Sequence, residues 1–120
     1  MKPIFLHYPK CSTCQKAKKF LDAQGVDYTA RHIVEDNPSA QELLGWMGHC
    51  DKAPKAFFNT SGMVYRELGL KDKVKTMSKE EMAEALASNG MLVKRPLLIL
   101  KDKVLVGFKE AEWAEALGIA

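Results

Sequence analysis

Cys11-Ser12-Thr13-Cys14 lies between a short apolar run, Ile4-Phe5-Leu6, and a segment whose apolar residues Cys14, Ala17, Phe20 and Leu21 recur at helical spacing. That junction constrains the fold more than any other feature of the chain. It predicts a strand over residues 3–8, a tight turn, and a helix from Thr13 to Gln24 stopped by Gly25, which suits the position just past a helix end. Val26 to Val34 reads as a second strand, and a strand reached through a helical crossover runs parallel to the first. The first sulfur of the pair then sits at a helix N-terminus, where unpaired N–H groups and the helix dipole favour a thiolate.

Lys10, Lys16, Lys18 and Lys19 add positive charge near the same turn. An unperturbed thiol is only about 3% ionised at pH 7, and lowering its pKa by about two units, worth about 2.7 kcal/mol, makes the thiolate the major form. The placement of the dithiol points to thiol redox chemistry. Half a zinc site is the competing reading, with further ligands from His7, His32, His49 or Cys50. The sequence has no second CxxC and no spaced histidine pair, and His49 and Cys50 are adjacent, so no metal site is expected.

With 120 residues the chain is long enough to build one ordinary hydrophobic core without disulfide staples, and its 47% hydrophobic and 28% charged composition is that of a soluble globular protein. Three cysteines, an odd number, make no disulfide framework. No apolar stretch approaches a membrane span, and Met1-Lys2-Pro3-Ile4 has no signal-peptide core, so a cytoplasmic protein with reduced thiols is expected. A net charge of +3 with acids and bases interleaved, as in Lys79-Glu80-Glu81, argues against direct nucleic-acid binding. Trp46, Phe57, Phe58 and Trp113 read as packing aromatics and form no stacking platform with basic residues.

The middle of the chain reads as helical. Ser39-Ala40-Gln41-Glu42 and Ser78-Lys79-Glu80-Glu81 both have capping-box spacing, the first opening a helix with Leu43, Leu44 and Met47 and the second a helix with Met82, Ala85 and Leu86 inward, ending near Asn89-Gly90. Between them lie a short helical turn over 54–59 that buries Phe57 and Phe58, a loop at Thr60-Ser61-Gly62, and a short helix from Met63 to Leu70 weakened by Gly69. The last third returns to strands: Pro96–Leu100, a turn at Lys101-Asp102-Lys103, and Val104–Val106, followed by an amphipathic helix over Glu110–Leu117. The order predicts an α/β protein with a thioredoxin-like (glutaredoxin-related) fold. It would be one domain, 1–120, with a four-stranded mixed sheet and a helical insertion at about 38–90.

The stretch Tyr8-Pro9-Lys10-Cys11-Ser12-Thr13-Cys14-Gln15-Lys16-Ala17-Lys18-Lys19 is similar to the active-site turn of the arsenate reductase (ArsC)/Spx superfamily. Phe57–Gly62, Tyr65–Leu70, Met91–Leu97 and Val106–Glu110 resemble its later segments in order, and the middle segment is closer to the ArsC-like (YusI-type) branch than to Spx. The resemblance implies that Pro96 is a cis-proline facing the dithiol. It also implies that Arg95 lies near the reactive cysteine, where a guanidinium could favour the thiolate or bind an oxyanion.

On this reading Cys11 is the nucleophile and Cys14 the resolving thiol, with Ser12 and Thr13 small enough to let the sulfurs meet. Lys55 and Gly107 align with two further arginines of the family's single-cysteine members. Lysine keeps the charge without the bidentate fork, and glycine supplies neither, so the expected dithiol chemistry is more secure than arsenate as its substrate. No bound cofactor is expected. An external thiol reductant is implied, either thioredoxin, glutaredoxin or glutathione, with arsenate or a disulfide as the oxidised substrate. The alternative is an Spx-like regulator that binds RNA polymerase and uses the dithiol as an oxidation switch. Cys50 reads as a partly buried packing residue, and His7 as a packing residue beside the turn.

Overall fold

The computed structural model describes residues 2–119. Four strands, β1 (Ile4–His7), β2 (Thr29–His32), β3 (Leu97–Ile99) and β4 (Val104–Val106), form one sheet in the order β2-β1-β3-β4. β1 pairs with β2 in parallel and with β3 antiparallel, and β3–β4 is an antiparallel hairpin. This mixed sheet, entered by strand–helix–strand and closed by a hairpin and a helix, is the thioredoxin-like arrangement expected from the order of elements.

Side-chain alternation along the strands divides the interior into two layers. Phe5, Leu98 and Leu105 stand in register across β1, β3 and β4 and face one side. There they meet Ala17, Phe20 and Leu21 of α1 (Ser12–Ala23) and Trp113 of α6 (Glu110–Ala116). Leu6, Leu97, Ile99, Val104 and Val106 face the other side, against the helical insertion: α2 (Ala40–Gly48), α3 (Met63–Glu67), α4 (Leu70–Lys73) and α5 (Lys79–Ser88), with 3₁₀ turns at Pro54–Phe57, Val74–Thr76 and Gly90–Leu92. Each fully buried Leu or Phe contributes about 1.5–3 kcal/mol, so both layers hold the sheet strongly.

The helix ends follow from local sequence. Gly25 adopts φ +68, and the N–H groups of Gly25 and Val26 donate to the carbonyls of Asp22 and Leu21, a Schellman stop for α1. Ser39 and Ser78 each complete the reciprocal capping box, with Glu42 and Glu81. Glu42 is bound further by Arg31 of β2 through two contacts of 2.7 and 2.9 Å, and that guanidinium pulls its carboxyl down to about 2.

Two local expectations are corrected. β2 is shorter than the predicted 26–34. The His32 ring accepts the N–H groups of Val34 and Glu35, and its carbonyl accepts Asp36, so the chain turns where the strand was expected to continue. The helix expected over Met63–Leu70 breaks at Gly69, which takes φ +63 and redirects the chain into α4. The second capped helix, α5, ends at Ser88, beside the expected Asn89-Gly90 stop. Asn89 is extended, and Gly90 lies against the Ile33 carbonyl and Asn37, where a Cβ would collide.

Candidate active site

Cys11 is the N-cap of α1, extended at φ −84 and ψ 123, with its N–H donated to the Tyr8 carbonyl at 2.9 Å and its own carbonyl accepting the N–H of Gln15. A cysteine supplies no capping oxygen, so the first N–H groups of the helix remain available and those of Cys14 and Thr13 favour a negative sulfur. Partial burial pushes the Cys11 thiol up. The Cys14 N–H, the Cys14 thiol, the Thr13 N–H and the Arg95 guanidinium together outweigh it and hold Cys11 below the ordinary cysteine value.

Cys14, one turn into the helix, is 1% exposed. Burial pushes its thiol up to about 12; the Tyr8 N–H, 3.5 Å from the sulfur, and Arg95 oppose the rise, while neighbouring Cys11 reinforces it. Both cysteines are free thiols. The dithiol is therefore asymmetric, with an accessible sulfur biased toward thiolate and an interior sulfur held protonated.

Arg95 reaches the site from the segment before β3, whose first residue, Leu97, pairs with Leu6 near the end of β1. It precedes Pro96 across a cis peptide bond, the isomer implied by the family resemblance, and Pro96 itself is buried. The Arg95 Cζ lies 5.1 Å from the centroid of the Tyr8 ring, Nη1 donates to the Met91 carbonyl at a long 3.5 Å, and Nε is buried without a partner among the described residues.

Cys11, Thr13, Lys94 and Arg95 line a cleft of about 400 Å³. The cleft is completed by the loop expected at Thr60-Ser61-Gly62 and the start of the following helix, through Asn59, Ser61, Gly62, Met63 and Val64, with Met91 beside them. Backbone bonds stitch this loop to the segment before Pro96, with Asn59 N–H donating to the Leu92 carbonyl at 2.8 Å and Lys94 N–H to the Phe57 carbonyl at 2.7 Å. The only sequence signal for that wall was the family-like segment Phe57–Gly62, which carries no chemistry of its own.

The other predicted residues divide. Ser12 is exposed and does not line the cleft, whereas Thr13 does. Lys55 is exposed on a 3₁₀ turn and lines a separate groove with Thr60, Tyr65 and Lys71, apart from Cys11. Gly107 takes φ +75 behind the Lys94 side chain and places no functional group in the cleft. His7 stacks on Phe5 at 4.9 Å; burial, then His32 and Lys18, lower its pKa, and it lies outside the cleft lining. Cys50 lines a small hollow with Asp51, Val104 and Glu112, separate from the dithiol. Among the described residues no group of three or more His, Cys, Asp or Glu side chains is arranged to hold a metal ion, and no helix is long and apolar enough to cross a membrane.

Residues 6–116 match the ArsC family. The chain is 50% identical over 115 residues to the uncharacterized protein YusI of Bacillus subtilis, covering 96% of this chain and 98% of YusI. It superposes with a TM-score of 0.88 on the crystal structure of a possible arsenate reductase from Streptococcus mutans, at 45% identity and 97% coverage of both chains. It is also 26% identical to the global transcriptional regulator Spx of Streptococcus pyogenes, over 93% of this chain and 81% of Spx.

Proposed function

The chain belongs to the ArsC family, and within it we propose that the protein is a thiol–disulfide oxidoreductase, with Cys11 as the nucleophile and Cys14 as the resolving thiol. The observation that carries this reading is the asymmetry of the pair: Cys11 is accessible and biased toward thiolate, and Cys14 is buried and pushed up to about 12.

For a disulfide RS–SR′, the Cys11 thiolate attacks one sulfur, forming Cys11–S–SR and expelling R′S⁻, which takes a proton. Bonding Cys11 removes its charge from beside Cys14 and eases ionisation of the second thiol. Cys14 then attacks the Cys11 sulfur, releasing RS⁻ and leaving a Cys11–Cys14 disulfide. Two electrons from thioredoxin, glutaredoxin or glutathione restore the dithiol. For arsenate, the Cys11 sulfur displaces an oxygen ligand as water. Attack by Cys14 then leaves the S–As electron pair on arsenic, reducing As(V) to As(III). Arg95 and Lys94 supply positive charge to an oxyanion bound in the cleft.

The test is arsenate-dependent NADPH oxidation, run with the thioredoxin and glutaredoxin systems separately and with Cys11→Ser as control. Cys11-dependent turnover supports arsenate reduction and names the reductant. A dithiol that both systems reduce, but that turns over neither arsenate nor small disulfides, overturns the enzyme reading. That result shifts weight to the redox-switched regulator suggested by the Spx relative, for which capture of RNA polymerase by the oxidised but not the reduced protein is the direct measurement.

A further inference from the structure

We propose that Tyr8 is the positioning residue of this dithiol site, its aromatic face holding the Arg95 guanidinium beside Cys11. The inference rests on Cys11 being the reactive thiol. Three contacts converge on this one residue. The Tyr8 carbonyl accepts the Cys11 N–H at 2.9 Å, and the Tyr8 N–H lies 3.5 Å from the Cys14 sulfur. The Tyr8 ring has the Arg95 Cζ 5.1 Å from its centroid, within cation–π range. The main chain of Tyr8 is thus tied to both cysteines, and its side chain to the cation on the facing segment.

Arg95 needs such a contact because little else fixes it. Among the described residues its only hydrogen bond is the 3.5 Å approach of Nη1 to the Met91 carbonyl, and its buried Nε has no partner there. Arg95 also appears in no ion pair among the described residues. A guanidinium held by a ring face keeps its N–H groups available for a sulfur or an anion, whereas a carboxylate partner would occupy them. The ring is itself braced, edge-on to His32 at 5.7 Å and packed against the larger hydrophobic layer. The charged and titratable groups that share the cleft with Cys11 are Arg95 and Lys94, with Cys14 behind it in α1. Of the two cations, it is Arg95 whose guanidinium lies over the Tyr8 ring.

The experiment measures alkylation of Cys11 by iodoacetamide against pH, in a Cys50→Ser background so that the third thiol does not report. Tyr8→Leu is expected to raise the apparent pKa of Cys11 and slow alkylation at pH 6 about two- to fivefold, the range that a cation–π contact commands. Tyr8→Phe keeps the ring and should match the unsubstituted protein. In an Arg95→Ala background, Tyr8→Leu should cause no further slowing. An unchanged profile for Tyr8→Leu overturns the proposal, and so does equal slowing with and without Arg95, which would show that Tyr8 acts through the backbone turn. Thermal unfolding checks each variant, with Tyr8→Met replacing Tyr8→Leu if the latter does not fold cooperatively. Alkylation needs no substrate, so loss of the oxidoreductase reading would appear as absent turnover with this coupling intact.

Discussion

One wall of the Cys11 cleft comes from a single continuous turn, from which Cys11 and Thr13 line it, while the other is assembled from the loop at 59–64 and the segment 91–95. The first wall is local: a strand end, a turn and a helix N-terminus, each set by its neighbours in sequence. The second depends on packing. Its two segments meet through the Phe58–Val93 bridge and its flanking backbone bonds, and they rest on the larger hydrophobic layer. The difference teaches how the chemistry divides. The local wall supplies the Cys11 sulfur, the proposed nucleophile, at a helix N-terminus; the assembled wall supplies a cation and the shape of the cleft.

If that division holds, substitution of either cysteine of the turn stops the reaction, and substitutions on the assembled wall attenuate it. Cys11→Ser should lower disulfide-dependent NADPH oxidation by at least about 10³-fold, because a hydroxyl does not replace a thiolate nucleophile. Residual turnover near the unsubstituted rate would move the nucleophile elsewhere. Cys14→Ser should permit one half-reaction and then stop, leaving a mixed disulfide on Cys11 that intact-mass spectrometry detects. If the two substitutions behave interchangeably, the assigned roles are wrong.

Arg95→Ala tests the assembled wall and should slow Cys11 alkylation at pH 6 about fivefold, as removal of one nearby cation does. A loss as large as that of Cys11→Ser would erase the contrast between the walls.

The smallest expected effect lies in the scaffold that carries the second wall. Glu42 has its carboxyl held down to about 2, against 4.5 for an unconstrained glutamate, chiefly by its hydrogen bonds to Arg31. As pH falls the unfolded chain takes up the proton first. The stabilisation is therefore complete above about pH 4.5 and is lost between 4.5 and 2. The side chain is 40% exposed, so after discounting for solvent screening the loss is about 1 kcal/mol. Glu42→Gln should flatten the acid limb of thermal stability across that interval; an unchanged slope would mean that the pair contributes nothing to folding.

Much of the scaffold was legible before the structure. The Cys11 turn, the Gly25 stop, both capping boxes and the β3–β4 hairpin are short-range patterns, and each appears where its residues predict it. The differences lie where a single residue redirects the backbone. The His32 ring shortens β2, and the left-handed Gly69 splits the helix expected over Met63–Leu70.

The sequence by itself determined the Cys11 turn, because helix N-termini, caps and strand alternation depend on residues within one or two turns of each other. Only the tertiary structure decided what surrounds that turn. It buried Cys14 and so raised its thiol, brought Arg95 onto the Tyr8 ring, directed Lys55 into another groove and made Asn59–Val64 the facing wall. These are matters of desolvation and of contact between segments far apart in the chain, and both arise only when the two hydrophobic layers close on the sheet.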